Sequence, residues 1–78
     1  FPQVLISVPI CEKQDFSKIT NIQNEIQSAE AALKEEGRVL VRYSGTEALV
    51  RIMVEGKRQA VIERHANLIA DEFKKALG

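Results

Sequence analysis

A short polar segment between two apolar runs holds the residues of this chain best suited to bind an anion. Arg42, Ser44, Gly45 and Thr46 lie close together, and Arg51 follows shortly after them. Guanidinium groups, hydroxyl donors and backbone amides beside a glycine form short, charge-assisted hydrogen bonds with phosphate. The residue types and their spacing therefore indicate a phosphate-binding site.

The same segment also allows a less specific interpretation. Ser-Gly-Thr segments are common in turns, and arginines are ordinary residues on the surface of a sheet. Glu47 could neutralise one of the arginines, and the segment would then be a salt-bridged turn without a ligand. Composition and spacing leave both interpretations open.

The expected register of a hairpin favours the phosphate site. A symmetric hairpin centred between Thr46 and Glu47 would place Arg42 directly across from Arg51. Like charges in that position destabilise a sheet by roughly a few tenths of a kcal/mol or more unless an anion lies between them. This interpretation requires both guanidinium groups to lie on the same face.

Hydrophobic periodicity predicts the elements that position this segment. Residues 4–10 alternate as a strand, and Pro9 predicts that it is an edge strand or that pairing stops there. A helix is predicted to begin at Thr20, with Gln23 completing a capping box. Gly37 is expected to end that helix in the left-handed conformation.

The rest of the chain completes the predicted fold. Residues 38–43 and 49–55 predict two strands of a hairpin around a loop, and apolar residues at helical spacing from Arg58 to Leu77 predict a second helix. The order β-α-β-β-α predicts an α+β fold. We expect a two-layer sandwich, with a small, mainly antiparallel sheet and two helices on one face. Residues 1–78 should form a single domain.

Charge and composition narrow the classes of partner. Eleven basic and eleven acidic residues give a formal net charge of zero, so the chain lacks the positive field typical of nucleic-acid-binding domains. No apolar run approaches the roughly 20 residues that a membrane-spanning helix requires. We therefore expect neither a nucleic acid nor a membrane as partner. Because the sequence opens with Phe1 rather than Met, we also expect it to be a piece of a longer protein.

The remaining reactive side chains favour structural roles. A single cysteine, Cys11, cannot form an internal disulfide, which indicates a reducing, cytoplasmic setting and a structural thiol. His65 could act as a general base, but it has no obvious acidic or nucleophilic companion and is better explained as a surface or boundary residue of the second helix, next to its apolar stripe. The basic pairs at residues 57–58 and 74–75 are expected to be solvated surface.

The chain also lacks the residues of a complete catalytic centre. Asp15 and Asp71 are far apart, and no aspartate cluster of the Asp-x-Asp type could hold magnesium. The sequence therefore predicts no catalytic residue, no metal site and no cofactor within this domain. The chain should bind a ligand without transforming it.

Two segments of the sequence resemble a known family. Residues 37–47 read Gly-Arg-Val-Leu-Val-Arg-Tyr-Ser-Gly-Thr-Glu and residues 51–55 read Arg-Ile-Met-Val-Glu. Both resemble the C-terminal, fourth domain of the α-D-phosphohexomutases, and residues 1–6 and 26–33 extend the similarity over essentially the whole chain. The resemblance implies that a loop of this domain grips the phosphate of a phosphosugar. The matching residues are Arg42, Ser44, Gly45 and Thr46, with Arg51 as the second arginine.

The resemblance further implies a parent enzyme, an isomerase, with catalysis on the other three domains. A phosphoserine in the first domain and a magnesium ion held by the second would carry the phosphoryl transfer. The similarity is closest to the amino-sugar branch, which interconverts glucosamine 6-phosphate and glucosamine 1-phosphate. A phosphomannomutase or phosphoglucomutase is the near alternative, and a non-enzymatic interaction module is the distant one. The expected partners are the phosphosugar and the other three domains, and a homodimeric parent enzyme is compatible with this assignment.

Two positions depart from the family pattern. Many members have proline where this chain has Tyr43 and Ala48. Because proline fixes φ, its absence raises the entropy cost of ordering the loop by ~0.5 to 1 kcal/mol per site. Tyr43 could compensate either by packing its ring or by hydrogen bonding at the mouth of the site.

Overall fold

The computed structural model describes residues 1–78 and contains three strands and two helices. In chain order these are β1 (Gln3–Pro9), α1 (Thr20–Leu33), β2 (Gly37–Tyr43), β3 (Leu49–Gly56) and α2 (Gln59–Leu77). The strands form one antiparallel sheet in the order β1-β3-β2. Helix α2 packs on β1 and β3, and α1 packs on β2 and α2. The predicted α+β fold and its β-α-β-β-α order are confirmed.

One hydrophobic core lies between the sheet and the helices. Alternate residues of β3, namely Val50, Ile52 and Val54, are fully buried against the helices. Helix α2 presents residues at helical spacing to the same layer, as its periodicity predicts. The buried apolar residues form a single cluster: Val8, Ile10, Ile22, Ala29, Leu33, Val50, Ile52, Val54, Ile62, Ala66, Ile69, Ala70, Phe73 and Leu77.

The opposite face of the sheet carries no helix, and we call it the open face. The register places Leu5, Met53 and Leu40 in one row across the three strands of this face. Leu5 and Leu40 are exposed, whereas Met53, on the central strand, is buried. Strand β1 pairs only with β3 and remains paired up to Pro9, so of the two alternatives that Pro9 indicated, the structure shows the edge strand.

The predicted capping box at the start of α1 is wrong. Ile19 is the N-cap residue and makes no side-chain cap hydrogen bond. The Gln23 side chain instead donates to the Phe16 carbonyl at 3.3 Å. The reason is a short 3-10 turn, Phe16–Lys18, which precedes the helix and brings that carbonyl within reach.

The predicted role of Gly37 is also wrong. Helix α1 ends at Leu33, and the residue with positive φ is Lys34, at 54°. Gly37 begins β2 with extended backbone, at φ −177°. A glycine is required there because a Cβ would lie 2.2 Å from the Glu55 carbonyl oxygen.

Candidate functional site

The hairpin places the two predicted arginines directly opposite each other. Arg42 on β2 and Arg51 on β3 are partners in the register, which confirms the pairing expected from the sequence. Paired residues in an antiparallel ladder point to the same face, and both arginines are exposed on the open face. The three ion pairs of the structure involve neither arginine. Two like charges therefore lie side by side without an acidic partner.

A second arginine of β2 provides an internal contrast. Arg38 lies on the same face and pairs in register with Glu55. Its Nε lies 3.8 Å from the Glu55 carboxylate. The hairpin therefore has one charged row, Arg38 and Glu55, in which the opposite charges compensate each other. Nearer the loop it has a second row, Arg42 and Arg51, in which the two positive charges have no acidic partner.

Ser44 organises the loop (residues 44–48) from within. It is buried, and its Oγ accepts hydrogen bonds from the backbone N–H groups of Thr46 at 3.4 Å and Glu47 at 3.3 Å. Its own N–H donates to the Leu49 carbonyl at 2.9 Å, which closes the loop. The Ser44 hydroxyl keeps its proton for donation to an acceptor, and the exposed Thr46 hydroxyl makes no hydrogen bond.

Gly45 leaves space at the tip of the loop. The residue is exposed, and a Cβ built on it would meet no heavy atom within 4 Å. Its φ is not positive, so the backbone does not require a glycine there. The Gly45 N–H takes part in no hydrogen bond and is free to donate to a ligand.

The segment between β1 and α1, residues 10–19, forms two hydrogen bonds with the loop and one with Tyr43 at the end of β2; we call it the connector. The Ile10 N–H donates to the Ala48 carbonyl at 3.0 Å, and Lys13 Nζ donates to the Ser44 carbonyl at 2.5 Å. The Tyr43 hydroxyl donates to the Gln14 carbonyl. Sequence reasoning missed Lys13, because its partner lies 31 residues away and no local pattern signals such a contact.

The Tyr43 ring packs, as one of the two alternatives expected, and its hydroxyl bonds the connector. Its ring packs edge-on against Phe16 and Phe73, with centroid distances of 5.4 and 6.5 Å, while its hydroxyl bonds the connector. Burial, and secondarily the negative charge of Asp15, raises the pKa of the Tyr43 phenol. The phenol therefore stays protonated and remains a donor over the neutral pH range.

Most of the chain matches one protein family. The family described as phosphoglucomutase/phosphomannomutase, C-terminal domain, matches residues 5–72. The chain belongs to this family. The loop and both unpaired arginines lie within the matched segment.

Curated relatives and a solved structure agree with this membership. The chain is 46% identical over 78 residues to the phosphoglucosamine mutase of Shouchella clausii (strain KSM-K16), covering 100% of this chain and 18% of that protein. It is 48% identical over 77 residues to that of Geobacter sp. (strain M21), covering 99% and 17%. The N-acetylphosphoglucosamine mutase of Aspergillus fumigatus has the same fold, with a TM-score of 0.73 and 24% identity, over 96% of this chain and 15% of that one. The chain thus spans less than a fifth of the length of these proteins.

The other candidate residues of this family domain form no ion pair with Arg42 or Arg51. Glu47 forms no ion pair with either arginine, so the alternative of a salt-bridged turn is not what the structure shows. His65 is half-buried on α2, and its Nδ1 is buried without a hydrogen-bond partner. The exposed Cys11 thiol donates weakly to the Gly78 carbonyl at 3.7 Å.

The basic pairs lie on the surface, as expected. Lys57 forms an ion pair with Glu36 at 2.8 Å, and Lys75 forms one with Glu72 at 3.6 Å. A surface cleft of about 420 Å³ lies beside Lys57, at the end of the hairpin away from the loop. We place the candidate site at the loop because free donors and unpaired cations gather there, and a phosphate needs no deep cavity within one domain.

Two further features concern metals and membranes. Nowhere in residues 1–78 do three or more His, Cys, Asp or Glu side chains come together as a metal site. Both helices are too short or too polar to cross a membrane.

Proposed function

We propose that this chain is the phosphate-binding, C-terminal domain of a phosphoglucosamine mutase, which interconverts glucosamine 6-phosphate and glucosamine 1-phosphate. The observation that carries the proposal is the pair of Arg42 and Arg51, which face each other beside the loop with no acid to compensate them. The names and identities of the curated relatives support the amino sugar as substrate.

Each member of the site has a distinct task in this proposal. The two guanidinium groups bind the phosphate dianion from the open face, which removes their mutual repulsion. The Thr46 hydroxyl and the Gly45 N–H donate from the loop, and Ser44 maintains the conformation of the loop while its hydroxyl proton completes the cradle. All five residues predicted from the sequence are thus used.

The contribution to catalysis is positioning. Holding the phosphate that does not react fixes the sugar, so that binding energy orients the other end of the substrate for phosphoryl transfer on the remaining domains. Closing this domain over the cleft would bring the arginines onto the phosphate. No residue of this chain is assigned a catalytic role.

The residues of this chain do not fit the magnesium ion that the family resemblance implies. Metal binding of that kind needs several carboxylate oxygens at one point, and no such group exists in this domain. The proposed role of this domain therefore involves no metal ion bound to it.

The proposal is tested by Arg51→Ala in the complete enzyme. A hydrogen bond to a charged group contributes about 1.5–3 kcal/mol, so kcat/KM should fall by roughly 10- to 150-fold. Arg38→Ala is the matched control, because Arg38 lies on the same face and differs in having Glu55 as a partner. Equal effects of the two variants on kcat/KM would refute the proposal.

The choice of sugar is tested separately. The complete enzyme is assayed with glucosamine, glucose and mannose 6-phosphates at matched concentrations. A preference for the amino sugar supports the proposed substrate. A preference for glucose or mannose would assign this domain to another branch of the family and leave the phosphate site intact.

A further inference from the structure

We infer that Lys13 is a positioning residue of the phosphate-binding loop, which turns the Gly45 N–H toward the ligand. The inference rests on the proposed function and concerns a residue outside the Arg-x-Ser-Gly-Thr segment. Lys13 lies in the connector, and its ammonium donates to the Ser44 carbonyl oxygen at 2.5 Å. No carboxylate lies within ion-pair distance of it.

The geometry of the peptide bond connects Lys13 to the ligand. Ser44 C=O and Gly45 N–H belong to one peptide unit, and in a trans peptide these two groups point in opposite directions. A cation that holds the carbonyl on one side therefore holds the N–H on the other. Without Lys13, the Ser44–Gly45 peptide could rotate and present its carbonyl oxygen, which repels phosphate.

The position of the connector indicates toward which side of the sheet the Gly45 N–H is directed. Phe16 of the connector packs on Tyr43 and on Phe73 of α2, so the connector lies on the helix-covered side of the sheet. In this inference the Gly45 N–H, directed away from Lys13, is turned toward the side on which Arg42 and Arg51 are exposed. It also has no hydrogen-bond partner within the protein, so it is available to the phosphate.

The connector provides a matched control. Lys18 belongs to the same segment, is exposed, and makes neither a side-chain hydrogen bond nor an ion pair. Lys13→Met and Lys18→Met remove the same charge from the same segment, and only the first removes the bond to the loop. Lys13→Arg keeps both a donor and a charge.

The experiment measures binding of inorganic phosphate and of glucosamine 6-phosphate to the 78-residue chain, together with the Gly45 amide signal in NMR spectra of the free protein. Lys13→Met should weaken phosphate binding about 5- to 20-fold and shift the Gly45 amide before any ligand is added. Lys13→Arg should restore both, and Lys18→Met should change affinity less than twofold. In the complete enzyme the Lys13→Met effect should appear in KM more than in kcat.

The outcomes separate this inference from the proposed function. Equal losses in Lys13→Met and Lys18→Met would show that only charge matters, and an unchanged Gly45 amide would show that the peptide does not turn; either result overturns the inference. Arg51→Ala is measured in parallel. If Arg51→Ala abolishes phosphate binding while Lys13→Met leaves it intact, the proposed function stands and the role of Lys13 is rejected.

Discussion

The two charged rows of the hairpin's open face differ in one residue, and that difference separates a structural surface from a candidate site. Near the start of β2, Arg38 faces Glu55, whereas toward the loop Arg42 faces Arg51. Strand, face and residue type are otherwise alike. A sheet gains a few tenths of a kcal/mol from the first arrangement and loses a similar amount in the second, so the second is stable only because the rest of the fold supports it.

The glycines at the two ends of the hairpin also differ in whether a side chain there would contact the rest of the protein. A Cβ on Gly37 would collide with the backbone of β3, whereas a Cβ on Gly45 would meet nothing. Gly37 is therefore required for β2 to pair closely with β3. A side chain at position 45 would extend into solvent, where only a bound ligand would contact it.

The largest effect is expected from Gly37→Ala. The new methyl group would lie 2.2 Å from the Glu55 carbonyl oxygen, and neither backbone can move without breaking the ladder. The free energy of unfolding should fall by about 3 kcal/mol. Denaturant unfolding followed by circular dichroism measures this loss, and a change below about 1 kcal/mol would show that the two strands are less tightly fixed than described.

Arg51→Glu converts the uncompensated row into a copy of the compensated one. The introduced carboxylate would face Arg42 as Glu55 faces Arg38, so stability should rise by about 0.2–1 kcal/mol. Phosphate binding should weaken by roughly 100-fold or more, because a donor is lost and a negative charge is gained. Thermal unfolding with and without phosphate checks both effects in one experiment. Stabilisation by phosphate that survives this change would contradict the site.

Gly45→Ala should separate folding from binding. The free energy of unfolding should change by less than about 0.5 kcal/mol, because the added methyl group meets no protein atom. Phosphate affinity should fall about fivefold, since the methyl group occupies the approach to the free N–H. Isothermal titration with phosphate provides the affinity. If Gly45→Ala lowers the stability and leaves the phosphate affinity unchanged, the proposed difference between Gly45 and Gly37 is wrong.

The smallest effect concerns Tyr43 at high pH. Because burial raises its pKa in the folded state, the folded protein holds the phenolic proton more tightly than the unfolded chain, whose tyrosine pKa is about 10. The stabilisation is fully present below that value and is lost as pH rises through the folded pKa. Stability above about pH 10 should therefore fall more steeply in the wild type than in Tyr43→Phe.

Tyr43 is the only tyrosine, so the ultraviolet absorbance of tyrosinate reports its titration alone. A folded-state pKa below that of the unfolded chain would mean that the two nearby arginines outweigh burial. That result would indicate that their positive charge reaches the connector side of the sheet.

The sequence predicted the parts of the site that depend on periodicity. Alternation along residues 38–43 and 49–55 and a loop of fixed length were enough to pair Arg42 with Arg51, because register follows from loop length and the buried face. Periodicity also predicted both helices, and the missing N–H of Pro9 indicated an edge strand as one of two alternatives. Alternation cannot identify a ligand, and the phosphosugar was inferred only from the resemblance to the family.

The sequence did not predict features that depend on contacts between distant segments. The start of α1 was predicted to be a capping box at Thr20, but the turn at Phe16–Lys18 provides another partner for Gln23. Lys13 reaches Ser44 only because the connector folds back over the loop. The use of Ser44 Oγ within the loop likewise depends on a conformation that residue types alone do not specify.

The strand order has a consequence for how the two arginines respond to a ligand. Arg51 lies on β3, which is hydrogen-bonded on both sides, whereas Arg42 lies on β2, which is paired on one side only. Edge strands open more readily than central ones, so movement of the site should occur on the Arg42 side rather than on the Arg51 side. Under the proposed function, the phosphate would thus be held between one arginine whose strand is paired on both sides and one whose strand is paired on one side only.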